Sequence, residues 1–222
     1  KGYNGIVQYP FGYGLSYTTF DWKIKSIERI YDDVKEKNHN GDNISSPKTK
    51  FEFVLEVTNT GDVAGKDVIE VYYTAPYYKN GIEKSYVNLV EFAKTDLINP
   101  SETKEVKINF DVYDLASYDC YDKNNNGFKG FELEPGEYHI KFMENSHKIK
   151  SNDMDITFNV ENNNGRGYIY RFDNEGKGYV TNRFTGDSAE AGIPIDGSKS
   201  GGEEIKYLTR ADFKNTFPST RT

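Results

Sequence analysis

The stretch Phe51–Tyr73, FEFVLEVTNTGDVAGKDVIEVYY, restricts the fold more than any other part of the chain. Phe51, Phe53, Leu55 and Val57 alternate with Glu52, Val54 and Glu56, the period of two that marks a strand with one face in a core. Asn59-Thr60-Gly61-Asp62 interrupts the run with turn residues, and Gly65 is expected to supply a positive φ. Lys66–Tyr73 resumes as a second strand, with Val68, Glu70 and Tyr72 on one face and Ile69, Val71 and Tyr73 on the other. Two such antiparallel strands leave an apolar face that needs a second sheet over it.

The remainder of the chain supplies candidates for that sheet. Phe20, Trp22 and Ile24 alternate, and the pattern continues through Ile27 and Ile30 after a phase shift that predicts a β-bulge. Trp22 could present a sugar-stacking platform, but its phase with Phe20 and Ile24 assigns it to the core. The polar stretch Tyr31–Lys50 reads as a long hairpin loop. Leu89–Ile98, Val106–Phe110, Phe131–Leu133, Tyr138–Phe142 and Met154–Val160 read as strands, with one helical turn near Leu115. About seven short strands separated by turns predict an all-β sandwich of the immunoglobulin or fibronectin type III-like kind. Tyr138, just after Pro135-Gly136, stands where such folds place a corner tyrosine. The expected organisation is an N-terminal arm (1–19), the sandwich (20–160) and a long, mostly irregular C-terminal tail (161–222).

A formal charge of −7 sets the global field against nucleic acid and anionic lipid. No apolar run approaches the roughly 20 residues that span a bilayer. Cys120 is the sole cysteine, so no internal disulfide forms, and it reads as a buried, inert thiol. With no secretory signal pattern, a cytoplasmic location is the expectation, an exported bacterial protein the alternative. Residue 1 is Lys, which reads as a chain processed or cut from something longer.

YPFGYGLSYTTF (Tyr9–Phe20), VTNTGDVAGKDVIEVYY (Val57–Tyr73) and YDKNNNGFKGFELEPGEY (Tyr121–Tyr138) occur in this order. Together they resemble the fibronectin type III-like domain of glycoside hydrolase family 3, the β-glucosidase family. NRFTGDSAEAG (Asn182–Gly192) and YLTRADFKNTFP (Tyr207–Pro218) are similar to the stretch that leads into the catalytic barrel in circularly permuted members. The resemblance implies an accessory domain with an α/β sandwich before it and the barrel after it in one polypeptide. It also implies a parent enzyme that hydrolyses terminal β-linked sugars. Neither catalytic carboxylate of the family can be matched to a residue here, so no catalytic residue is assigned and the chain alone is expected to be inactive.

Two sets of residues remain as candidate sites. Tyr77, Tyr78 and Tyr86 in the Ala75–Asn88 loop, with Tyr9, Phe11 and Tyr13 in the arm, are candidates for an inter-domain seam or the rim of a carbohydrate pocket. Asp122, Asn124, Asn126 and Phe128 fall at positions 1, 3, 5 and 7 of a D-x-N-x-N-G pattern, the opening of a calcium loop. Position 12 is Leu133, so the bidentate Glu is missing and any calcium would bind weakly. No other cofactor is expected. His39, His139 and His147 form no ligand spacing and read as solvated.

Overall fold

The computed structural model describes residues 7–37, 43–119, 122–127, 130–160 and 209–212, and for 31–37, 43–49 and 130 the backbone alone. β1 (Phe20–Lys37) and β2 (Asn43–Asn59) form a long antiparallel hairpin. β3 (Val68–Thr74) and β4 (Asn88–Lys94) form another. β5 (Thr103–Asp111) runs into a single 3-10 turn at Val112–Leu115. β6 (Ser117–Asp119) pairs with β7 (Gly130–Glu132) across the polar loop. β8 (Gly136–Asn145), β9 (Lys148–Ile149) and β10 (Asp155–Val160) complete the described strands.

β1, β2 and β5 make one sheet, and β10, β8, β3 and β4 make the other, with β9 on the end of β8. These are the two layers of an all-β sandwich of seven principal strands. Phe51, Phe53, Leu55 and Val57 are buried from the first layer, and Ile69, Val71, Tyr73, Tyr138, Ile140 and Phe142 from the second. The layers meet where the Phe53 and Phe142 rings lie edge to face at 5.1 Å and those of Phe51 and Phe158 at 5.0 Å. Tyr138 is fully buried, stacks on Phe158, and donates its hydroxyl to the Glu134 carbonyl at 3.1 Å. That is the corner-tyrosine bond anticipated from Pro135-Gly136. Trp22 is buried as its phase requires, and its Nε1–H donates to Asp67 Oδ2 at 2.7 Å. The expected bulge lies between Ile24 and Ser26.

Four expectations need correction. The two strands of Phe51–Tyr73 do not pair with each other: β2 lies in one sheet and β3 in the other. Their connection crosses the sandwich and is held by Asn59, which accepts from the Thr18 hydroxyl (2.6 Å) and donates to the carbonyls of Val63 and Ile98. Gly65 shows no positive φ among the described residues. Its need is for space, because a Cβ there would sit 2.7 Å from the Thr18 methyl. Tyr31–Lys50 is no open loop: pairing continues from Tyr31↔Thr49 to Lys37↔Asn43. Once the apolar half of a hairpin sets the register, backbone donors and acceptors pair whatever the side chains. Finally, Met154 belongs to a 3-10 turn, Asn152–Met154, that precedes the last strand.

Candidate interdomain face

The side of the second sheet turned away from the core is unusual in burying polar groups. Directly opposite residues of paired strands share a face. Glu70 stands opposite Met143 and Phe92, Tyr72 opposite Lys141 and Leu89, and Thr74 opposite His139. Glu70, Tyr72, Thr74, Lys141 and Met143 are nonetheless buried. The cover over Glu70 is the N-terminal arm. The Ser146 amide donates to the Phe11 carbonyl at 2.9 Å, which seats the arm on this face. Gly12, at φ +81°, lies so close to Glu70 that any Cβ would collide with its carboxylate. Pro10 and Gly12 therefore make the arm a turn, closed by the Tyr13 amide on the Pro10 carbonyl at 3.0 Å, that fits against the sheet where a side chain at Gly12 would not.

Burial pushes the Glu70 carboxyl above the usual range, against the opposing effect of the hydrogen bond from the Tyr72 hydroxyl (2.8 Å). The Tyr72 phenol is raised by its own burial and then by Glu70. Lys141 donates to the Thr74 hydroxyl at 2.9 Å and lies 4.7 Å from the Tyr86 ring centre. Beside it an open cleft of about 470 Å³ is lined by Tyr86, Val87, Lys141, Met143, His147 and Asp155. His139 is not simply solvated: Nδ1 lies 2.9 Å from Asp155 and Nε2 3.2 Å from Glu137. His147 Nδ1 meets the Ser146 hydroxyl at 3.0 Å, and His39 lies outside the described residues, as does Cys120.

The six aromatic candidates divide. Tyr9, Phe11 and Tyr13 line the outer side of the arm, with Phe11 68% exposed and the two tyrosine rings 5.2 Å apart. Tyr86 (61% exposed) overhangs the same sheet, whose edge adds Leu89 and Phe92 (62% exposed). Tyr78 turns to the Pro135–Gly136 corner, where its hydroxyl donates to the Pro135 carbonyl at 2.6 Å. Tyr77 turns to the tail: its hydroxyl lies 3.0 Å from Glu83 and 3.2 Å from Thr209. Leu89 and Phe92 were not singled out from the sequence, although an edge strand carrying two outward apolar residues is a recognisable sign of a covered surface.

The polar loop brings together more than its motif. Asp122 (φ +54°), Asn125 (φ +56°) and Gly127 (φ +83°) take the left-handed turns that Asp, Asn and Gly tolerate. The Asp122 carboxylate accepts from the amides of Asn126 and Gly127, and Asn124 Oδ1 accepts from the Asn126 amide. The side-chain amides of Asn124 (2.9 Å) and Asn126 donate to Glu132, which is fully buried. Asp119, also buried, accepts from the Lys123 amide at 2.6 Å. Burial raises the Glu132 carboxyl, and the two asparagines oppose it. Phe128 lies outside the described residues. Asp119 and Glu132 carry no motif position; pairing of β6 with β7 is what delivers them. Among the described residues no group of three or more His, Cys, Asp or Glu has metal-holding geometry.

Two facing antiparallel sheets and a corner tyrosine define a fibronectin type III-like domain, and residues 67–146 match that domain family. β-Glucosidase A of Butyrivibrio fibrisolvens is 39% identical over 138 residues, which are 60% of this chain and 15% of that protein. A β-glucosidase of Ruminococcus albus is 36% identical over 132 residues, 60% of this chain and 12% of its own length. The crystal structure of a β-glucosidase from Paenibacillus barengoltzii superposes with a TM-score of 0.52 at 31% identity, over 72% of this chain and 15% of that one. The chain carries the fibronectin type III-like domain of family 3 glycoside hydrolases. It spans only 12–15% of the length of these curated relatives, in which the matched region is one part of a much longer polypeptide.

Proposed function

We propose that this sandwich is a non-catalytic buttress within a longer polypeptide that hydrolyses β-linked glucosides, and that the arm-covered face of the second sheet is the side that grips its neighbours. The supporting observation is the ring of exposed apolar residues on that face, Tyr9, Phe11, Tyr13, Tyr86, Leu89 and Phe92, surrounding buried polar groups. Several large apolar side chains exposed on one face are the usual sign of a contact surface. The neighbours are an α/β sandwich on the N-terminal side and a catalytic barrel on the C-terminal side, in the permuted order. Their carboxylates carry out the chemistry, and this domain sets their mutual orientation. In the polypeptide containing it, Phe11→Asp with Phe92→Asp is expected to speed thermal inactivation of aryl-glucosidase activity about tenfold, the scale of losing one interface anchor. The isolated 222-residue chain is expected to show no aryl-glucoside turnover. Turnover by the chain alone, or unchanged inactivation in the double variant, refutes the assignment.

The polar loop gives this domain a weak calcium site. Asn124, Asn126 and Glu132 share one hydrogen-bonded cluster, which Asp122 joins by accepting from the Asn126 amide. A half-turn of the Asn126 amide exchanges nitrogen for oxygen, which with Asn124 Oδ1 and the two carboxylates supplies the oxygens a hard cation takes. A dissociation constant of about 0.5 mM, within the range of extracellular modules, gives about 1.4 kcal/mol of stabilisation at 5 mM calcium. The melting temperature is then expected to rise by about 3–5 °C over an EDTA control. Asp122→Ala should abolish that rise, and an equal melting temperature in EDTA and calcium removes the site.

A further inference from the structure

The Ala75–Val87 loop and the short segment Thr209–Asp212 meet across more than a hundred residues of sequence. Glu83 accepts from the Arg210 amide at 2.7 Å through one oxygen and from the Thr209 hydroxyl at 2.9 Å through the other. The Tyr77 hydroxyl completes the cluster, 3.0 Å from Glu83 and 3.2 Å from Thr209. The Arg210 guanidinium carbon lies 4.8 Å from the centre of the Tyr77 ring and 5.0 Å from that of Tyr86, and Nη1 reaches the Ser85 carbonyl at 3.4 Å. A carboxylate that binds a backbone amide and a neighbouring hydroxyl holds main chain, while two aromatic rings at cation–π distance hold the guanidinium. Burial alone pushes the Glu83 carboxyl up; the Arg210 amide, the two hydroxyls and the guanidinium charge together bring it below the usual carboxylate range.

We infer that this loop is a clasp for the chain's own Thr209-Arg210 segment, which anchors the tail to the sandwich and sets where the chain departs towards whatever follows it. Tyr77 and Tyr86 turn their rings to an arginine of the same polypeptide, so ring faces that were candidates for the rim of a carbohydrate pocket are already taken by a guanidinium. The clasp lies beside the arm-covered face, with Tyr86 shared between Arg210 and Lys141. It stands whether or not that face grips a catalytic domain.

Trypsin reads the clasp directly, because cleavage after Arg210 needs that side chain and its amide withdrawn from their partners. When opening is fast, the cleavage rate follows the fraction of time the segment is released. In the 222-residue chain, cleavage at Arg210–Ala211 is expected to be at least tenfold slower than in a synthetic peptide spanning 205–215. Glu83→Gln should speed it about tenfold, the size of one lost charge-assisted hydrogen bond, and Tyr86→Leu by a smaller factor. Glu83 is largely exposed, so the melting temperature of Glu83→Gln should stay close to that of the parent chain. Cleavage of the parent chain at the peptide's rate, or equal rates in the parent and both variants, overturns the clasp.

Discussion

Phe53→Ala is expected to remove about 3–5 kcal/mol of folding free energy, the range for emptying a buried aromatic site. Phe53 is fully buried at the point where the two layers meet, in ring contact with Phe51, Phe110 and Phe142. Partners come from both sheets, so no single strand can shift to fill the space. A domain of this size holds about 5–15 kcal/mol in total, so this one change takes a third or more of it in most of that range. With a urea slope near 2 kcal/mol per molar, the unfolding midpoint drops by about 2 M. Ile27→Ala on β1, where the side chain is 43% exposed, should cost about 1 kcal/mol or less. Equal midpoints for the two variants would mean that the sheets do not pack through Phe53.

The second large effect is electrostatic. Lys84 and Glu134 form an ion pair with almost no exposure on either side, and Lys84 also donates to the Pro76 carbonyl at 2.8 Å. Burial holds the Lys84 ammonium below its usual value, against the pull of Glu134 and Glu132. Glu134→Leu leaves the ammonium without its main partner in a poorly solvated place and should cost about 3–5 kcal/mol. Lys84→Met combined with Glu134→Leu removes both charges and should return to within about 1 kcal/mol of the parent. The pH dependence provides a second check. In Glu134→Leu the native state releases the Lys84 proton at lower pH than the unfolded chain does. Between those two values the unfolded state binds more protons, so the variant's stability rises with pH. A double variant as unstable as the single one would show that the pair matters through shape and not charge.

The residues behind these two predictions were unequally visible in the sequence. Phe53, Trp22 and Tyr138 were legible because a strand with one buried face writes its burial as a period of two, and the Pro-Gly turn announces the corner. Lys84 and Glu134 were not, because a buried charge carries no periodic mark and only its partner's arrival makes burial tolerable. The same holds for Glu83 with Arg210 and for Glu132 with Asn124 and Asn126, polar residues that packing brings together from separate stretches. Tyr77 and Tyr78 show the limit most directly. Adjacent in sequence and alike in chemistry, one serves the tail and the other the Pro135–Gly136 corner. Composition can say that such rings need contacts, but not with what.

Strand pairing divides along the same line. Alternation in Phe51–Tyr73 identified two strands and the side of β2 that enters the core, yet it also suggested that they were neighbours. Periodicity reports which side of a strand is dry and is silent about which strand lies beside it, since backbone pairing is the same for every sequence. The amino-acid sequence by itself determined an all-β chain, its core residues and the family whose domain it carries. Only the tertiary structure decided that β2 and β3 face each other across the sandwich, that the arm covers Glu70, and that Arg210 returns to Tyr77. Those are choices among partners far apart in the chain, and their energies exist only once both partners share a surface.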